Sequence, residues 1–186
     1  MRIPVLTTER LTLRPFVHED LEALTLIHAE ESFWWYPMRG GMTPEQTAGF
    51  LVRSIDRYEA DGYGIEAVIE RSSGDLIGWA GLAVPHFLPE ILPAVEVGWR
   101  LSSAYWGRGL ATEAGQAAVD WGFTEGGLTR IVSIYEPENV PSGKVMEHLG
   151  FTPYLTTTGE QRGEEMVVTE LTIETWQARR TRPPDG

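Results

Sequence analysis

The stretch Trp106-Gly107-Arg108-Gly109-Leu110-Ala111-Thr112-Glu113 decides how this 186-residue chain is read. A strand pattern precedes it, and a helix pattern with Leu110, Ala114, Ala117 and Trp121 on one face follows it. Glycines on both sides of Arg108 let the backbone turn tightly and let a ligand approach without a Cβ in the way. The amides of Leu110, Ala111 and Thr112 fall in the first helical turn, where intrahelical acceptors are missing. Together with the helix dipole they form a site for phosphate groups, and Arg108 offers a charge-assisted bond to the same anion. Gly-x-Gly alone is a weak pattern, since two glycines also serve a plain strand-to-helix turn. A P-loop fits poorly because the segment has no lysine. A dinucleotide fingerprint also fits poorly: Thr112 stands where a third glycine or alanine belongs, and two helices and several strands come first.

Upstream, Ala94 to Leu101 reads as a strand behind a proline-punctuated loop from Pro85 to Pro93. Ile65 to Ile69 and Leu76 to Val84 read as strands joined by the hairpin signal Ser72-Ser73-Gly74-Asp75. Arg10-Leu11-Thr12-Leu13-Arg14 alternates polar and apolar with the period of a half-buried strand. His18-Glu19-Asp20 opens a helix carrying Leu21, Leu24 and Ile27, and the aromatic then glycine-rich run from Phe33 to Gly41 reads as a loop. Thr43-Pro44-Glu45-Gln46 places threonine at an N-cap, proline at the first helical position and glutamine at the third, and this helix runs to about Asp61-Gly62. Downstream, Arg130 to Tyr135 is a β-branched strand, and Phe151 to Thr157 and Glu165 to Ile173 are the last two. The predicted order, β-α-α-β-β-β-α-β-α-β-β, makes a single α/β domain with a mixed sheet over residues 1–178, followed by a frayed tail over 179–186.

Composition narrows the function classes. With 15 basic against 27 acidic side chains the formal charge is −12, which argues against non-specific nucleic-acid binding, a process that needs lysine and arginine. No cysteine is present, so disulfides, thiolate metal sites and a cysteine nucleophile are excluded together. His18, His28, His86 and His148 lack metal-ligand spacing and read as surface or packing residues, so no metal is expected. The longest apolar runs are shorter than the roughly 18 residues needed to cross a bilayer. Met1-Arg2-Ile3-Pro4-Val5 lacks the apolar stretch of a secretory signal, and a cytoplasmic location is expected.

A second window, Asn139-Val140-Pro141-Ser142-Gly143-Lys144-Val145-Met146-Glu147-His148-Leu149-Gly150-Phe151, holds both the single asparagine and the single lysine of the chain. Its plain reading is a short helix capped by Asn139 and stopped by Gly150 in a left-handed conformation. A cap and a ligand contact are compatible, because an amide side chain has four hydrogen-bonding sites.

Taken together, the two windows resemble the GCN5-related N-acetyltransferase (GNAT) superfamily, and more closely its RimJ/RimL-like branch of ribosomal-protein-alanine acetyltransferases. Thr8-Glu9-Arg10-Leu11-Thr12-Leu13-Arg14-Pro15 is similar to that branch's first strand, and Gly98-Trp99-Arg100-Leu101 to its central strand. Trp106 to Ala114 resembles the pyrophosphate arm, with Trp106 where the consensus has glutamine or arginine, and Asn139 to Phe151 resembles the last helix. The likeness spans about residues 7 to 173. It implies acetyl-CoA bound in a gap where two central strands splay apart. The backbone of Trp99, Arg100 and Leu101 would pair with the pantetheine arm, and the pyrophosphate would lie on the amides from Gly107 to Thr112. Asn139 would hold the pantetheine further down, with Ser142 and Lys144 of the same window as further cofactor contacts.

Direct attack by a primary amine on a thioester needs a proton acceptor and help for the leaving thiolate. Glu96, two residues before Gly98, is the candidate base, where related branch members carry a carboxylate suited to holding water. Ser142 is the candidate acid or thiolate hydrogen-bond donor by the same resemblance, with Tyr135 and Tyr154 as rivals. No Gly-x-Ser-x-Gly elbow or Ser-His-Asp order points to an acyl-enzyme. The acceptor cleft in this fold is bordered by segments corresponding to Phe33 to Met38 and Pro85 to Pro93. The four aromatics from Phe33 read equally as a wall for an amine or as core. The negative charge would steer cationic acceptors. Competing functions are a non-catalytic acyl-CoA-binding module and a nucleotide-binding oxidoreductase using Gly107-Arg108-Gly109. Homodimers are common in the branch, though no interface can be read from the residues.

Overall fold

Leu11 and Leu13, both fully buried, carry the alternation that makes the strand β2 (Leu11–Pro15) and seat it against the core. The structure, a computed structural model, describes residues 5–34, 40–158 and 163–181. They form two units, Met1–Ala83 with Gly98–Ala118, and Val84–Val97 with Val119–Gly186.

The first unit contains β1 (Leu6–Thr7), β2, α1 (Leu21–His28), α2 (Pro44–Asp61), β3 (Ile65–Glu70) and β4 (Leu76–Ala83). It also holds the Gly98–Leu101 part of β5 (Glu96–Leu101) and the start of α3 (Leu110–Thr124). β1 to β4 pair antiparallel in chain order, with Leu13 opposite Val68 and Ala67 opposite Trp79. Leu11, Leu13, Val68, Ile77 and Ala80 pack with Leu101, Leu110 and Ala114, so the core itself fixes where α3 begins. Each fully buried leucine of this group stabilises by about 1.5–3 kcal/mol. β4 approaches β5 so closely at Gly78 (φ 149°) that a Cβ would lie 2.1 Å from the Arg100 carbonyl oxygen.

The expected cap of α2 is present. Gln46 N–H donates to Thr43 Oγ1 at 3.3 Å and Thr43 N–H donates to Gln46 Oε1 at 2.8 Å, while Gly62 (φ 78°) closes the other end. Thr43→Ala should therefore lower the unfolding free energy by about 1 kcal/mol in a urea titration. An unchanged midpoint would show that this helix end does not contribute to global stability.

Two titratable groups are buried in the first unit. Glu66, on β3 between Pro15 and Ala80, is 4% exposed and accepts a bond from Tyr58 Oη at 3.0 Å. Burial pushes its carboxyl up to about 7, against a smaller opposing effect of the Tyr58 bond. His28 is fully buried, with Nδ1 3.2 Å from Thr47 Oγ1 and its ring among Phe33, Trp34 and Phe50. Burial, and secondarily the Arg100 charge, lowers it to about 4.

The second unit holds Glu96 and Val97 of β5, the end of α3, β6 (Arg130–Tyr135), α4 (Val140–Leu149), β7 (Thr152–Thr158), β8 (Glu165–Thr172) and α5 (Ile173–Thr181). β5 runs parallel to β6, and β8 pairs antiparallel with both β6 and β7. The eight-stranded mixed sheet thus has the order β1-β2-β3-β4-β5-β6-β8-β7. The β5–β6 ladder has one register pair, Glu96 with Val132. Val132 N–H donates to the Val95 carbonyl at 2.9 Å, but the Val97 carbonyl is met by the Ser133 side-chain hydroxyl, also at 2.9 Å.

Several elements depart from the sequence expectation, beginning with the short strand β1, which precedes the first expected strand. Glu31–Trp34 forms a 3₁₀ turn that overlaps the start of the expected loop, held by the burial of Phe33 and Trp34; Trp35 to Met38 lie outside the described residues. The strand expected from Ala94 begins at Glu96. The expected tail boundary at 178 falls inside α5, because Arg179 donates to the His148 carbonyl and Arg180 pairs with Asp120; residues 182–186 lie outside the described set. Among the described residues no helix is long and apolar enough to cross a membrane.

Candidate active site

Gly107 and Gly109 adopt left-handed conformations, φ 70° and 75°, on an exposed arm between β5 and α3. No atom lies within 4 Å of a Cβ built on Gly107, so conformation rather than space demands glycine there. The Glu113 N–H donates to the Gly109 carbonyl at 3.1 Å. That bond opens the α3 ladder, and the amides of Leu110, Ala111 and Thr112 precede it, as first-turn donors must. Leu110 anchors this turn with its buried side chain. The residues present therefore fit a diphosphate: backbone donors at a helix start, approached over glycines.

Carboxylates hold the arm along its length. Glu30 accepts from Ser102 Oγ at 2.8 Å and from the Ser103 amide at 3.3 Å. Tyr105 Oη donates to Asp75 at 3.3 Å, and Arg108 is ion-paired to Glu70. Arg108 holds the Glu70 carboxyl below the usual carboxylate range. The Arg108 guanidinium, expected as a phosphate donor, is thus already ion-paired to Glu70.

The three β5 residues expected to meet pantetheine divide by strand alternation. Ser102 N–H reaches the Ile77 carbonyl at 2.8 Å and the Arg100 carbonyl lies against Gly78, so both face β4. The backbone groups of Trp99 and Leu101 therefore point away from β4. The Arg100 guanidinium stacks on Trp34 at 4.6 Å and donates to the Phe33 carbonyl at 2.6 Å, which makes it a packing group. The Leu101 carbonyl accepts from the Trp106 indole N–H at 2.7 Å, giving Trp106 a structural role at the arm's first position.

In the second unit, Asn139 caps α4 by accepting from the Ser142 N–H at 3.3 Å, and Gly150 (φ 92°) ends the helix. Asn139 and Ser142 are thereby brought together, both half-buried, while Lys144 is exposed. Gly143 packs on the Tyr135 ring, whose Cε2 would lie 3.1 Å from a Cβ there, which puts Tyr135 beside Ser142. Tyr154 instead lies under the Arg130 guanidinium at 4.5 Å and is 53% exposed. Glu96 is half-buried at the start of β5. Leu88 and Ile91, in the loop expected to border the acceptor, are buried in the core, and Phe87 is exposed. Among the described residues no group of three or more histidines or carboxylates is placed to hold a metal.

Sequence reasoning missed Arg10, Glu113, Glu70 and Glu30 as arm-holding residues. Arg10 and Glu113 stood inside the quoted blocks, but their meeting depends on strand pairing that no local pattern reveals.

The family model of the Acetyltransferase (GNAT) domain matches residues 10–152. The chain belongs to this family. It is 31% identical over 147 residues to the Uncharacterized N-acetyltransferase p20 of Bacillus licheniformis, covering 78% of this chain and 81% of that one. The solved acetyltransferase of Agrobacterium tumefaciens str. C58 is 30% identical with a TM-score of 0.76, covering 92% of this chain and 95% of that one. A RimL ribosomal L7/L12 α-N-protein acetyltransferase solved in complex with coenzyme A shares the fold at a TM-score of 0.74 and 19% identity, covering 93% of this chain and 98% of that one. As a GNAT acetyltransferase, the chain is an enzyme whose cosubstrate is acetyl-CoA.

Proposed function

We propose that this GNAT enzyme, of the RimJ/RimL-like branch, transfers acetyl from acetyl-CoA to a primary amine by direct attack in a ternary complex. The acceptor is a small molecule, a peptide or a protein N-terminus. The observation that carries the reading is the exposed arm, in which two left-handed glycines lead into the first-turn amides of α3. Those amides take the diphosphate, the outward backbone of Trp99 and Leu101 takes the pantetheine, and the Asn139 side-chain NH₂ donates to it.

In the reaction the Glu96 carboxylate, directly or through a water, removes a proton from the ammonium. The freed nitrogen lone pair attacks the thioester carbonyl carbon, forming the C–N bond. Collapse breaks the C–S bond, and the electron pair leaves on sulfur as a thiolate. The Ser142 hydroxyl donates a hydrogen bond to that sulfur, and the second proton, shed by the attacking nitrogen as the amide forms, passes to the thiolate to give coenzyme A. A hydroxyl in this role stabilises charge rather than surrendering its proton outright. Ser142→Ala should accordingly reduce kcat roughly tenfold, the worth of one hydrogen bond to a charged group. The KM for acetyl-CoA should stay nearly constant. Unchanged turnover would move the role to Tyr135.

The deciding experiment combines calorimetric titration with coenzyme A and a thiol-release screen over amines of different charge and size. Binding together with thiol release supports the proposal. Coenzyme A binding without release on any amine would favour an acyl-CoA-sensing module. Binding of NAD(P)H in place of coenzyme A would overturn the reading.

A further inference from the structure

We propose that Arg10 and Glu113 form a clasp that sets the orientation of the Arg108–Gly109 peptide. Arg10 is then a positioning residue that acts on acetyl-CoA through this peptide and does not touch it. The inference rests on the reading that the arm receives the diphosphate.

Glu113, the fourth residue of α3, gathers three donors from the turn before β2. Its Oε1 accepts from Thr8 Oγ1 at 2.5 Å and from the Arg10 amide at 2.8 Å, and its Oε2 accepts from Arg10 Nε at 2.6 Å. The same guanidinium then reaches onward, with Nη1 donating to the Arg108 carbonyl oxygen at 2.8 Å. Nη2 stands 3.6 Å from the position a Cβ of Gly109 would occupy, so the guanidinium lies alongside that glycine. Thr8 also accepts from the Leu11 amide at 2.9 Å, which ties the clasp to the rigid strand.

The carbonyl that Arg10 holds lies between two glycines, the most mobile backbone on the arm. A trans peptide is planar, with its C=O and N–H pointing in opposite directions. Pinning the Arg108 oxygen on one side therefore commits the Gly109 N–H to the other. If the peptide flipped, a carbonyl oxygen would face the diphosphate in place of a donor, and repulsion would replace attraction. A planar guanidinium suits this task because one fork spans two acceptors, the Glu113 carboxylate and the Arg108 carbonyl. Burial raises the Glu113 carboxyl, but the bonds from Thr8 and from the Arg10 amide and guanidinium outweigh it and hold the group below the usual range. The carboxylate is thus charged at neutral pH and answers the guanidinium locally. The expected influence of Arg10 on the ligand is geometric, not a long-range attraction.

The test compares calorimetric binding of coenzyme A with that of 4′-phosphopantetheine, which lacks the diphosphate, in wild type, Arg10→Met, Arg10→Lys and Glu113→Gln. Arg10→Met should weaken coenzyme A about tenfold, the scale of one bond to a charged group. It should leave 4′-phosphopantetheine within about twofold, and in turnover assays raise the KM for acetyl-CoA with kcat nearly unchanged. Lysine keeps the charge but cannot span both acceptors, so Arg10→Lys should resemble Arg10→Met. Combining Arg10→Met with Glu113→Gln should cost little beyond Arg10→Met alone, because the two act as one unit. If Arg10→Met does not fold, Glu113→Gln, which keeps size and an acceptor oxygen, carries the comparison.

Failure of wild type to bind coenzyme A would remove the diphosphate reading itself. Wild-type binding with unaffected variants, or an equal loss for both ligands, would overturn the clasp while leaving that reading intact. A weaker salt dependence of coenzyme A binding in Arg10→Met would also overturn it, because it would mark direct contact with phosphate.

Discussion

Glu96→Gln is expected to reduce turnover roughly 100-fold or more at neutral pH, the range of general base catalysis. Glutamine keeps the shape and the half-buried position at the head of β5 but cannot accept a proton. The deficit should depend on pH. An alkyl amine with a pKa of about 10.4 is almost wholly protonated at pH 7 and increasingly free as that value is approached. Wild type and variant should therefore converge on the alkaline side in kcat measured from pH 6.5 upward. Superimposable profiles would reject Glu96 as the base and leave proton removal to solvent.

The second large effect concerns stability. Glu66 has a folded pKa of about 7 against an ordinary 4.5, so between those values the native state holds a proton that the unfolded chain has lost. Stability then falls with rising pH, by about 3 kcal/mol across the window. His28, at about 4 against an ordinary 6.5, does the reverse: the unfolded chain binds the extra proton, and stability rises by about 3 kcal/mol over nearly the same window. The groups facing the two are Tyr58 for Glu66 and Thr47 and Arg100 for His28. In wild type the two slopes cancel. Glu66→Gln removes one of them, so its stability should drop by about 3 kcal/mol relative to wild type between pH 6.5 and 4. Chemical denaturation at half-unit pH steps measures this directly, and parallel curves for the two proteins would refute it. Glu70 and Glu113, with lowered pKa values, lose stability only at more acid pH and do so in both proteins.

These groups also show where sequence reading stops. Alternation placed β2 and a hairpin signal placed β3, but neither could tell that Glu66 would be inward with a raised pKa. Thr43, Gln46, Asn139 and Gly150 were legible because caps are local chemistry, complete within a few residues. The turn at Glu31–Trp34 was not, since its stability comes from Phe33 and Trp34 packing on nearby His28 and on Phe50 and Trp79, which are distant in the chain. Only the end of α5 was read as a tail, because Arg179 and Arg180 look like solvated charges until the His148 carbonyl and Asp120 are placed beside them. The turn into α3 was legible through its glycines, which are left-handed as a tight strand-to-helix turn requires. The pairing of Arg108 with Glu70 was not, because it needs β3 at the arm, a tertiary fact. For the same reason Arg100 read as backbone for a ligand, whereas strand alternation turns it toward β4.

The position of β8 between β6 and β7 has a consequence for biosynthesis. β8 is translated after every other strand, so during elongation β6 lacks its outer neighbour and β7 has nothing to pair with. Unpaired strand edges of this kind invite association between nascent chains. The second unit consequently completes its sheet only once Glu165–Thr172 has left the ribosome, and slow elongation there would lengthen the interval in which chaperones are needed.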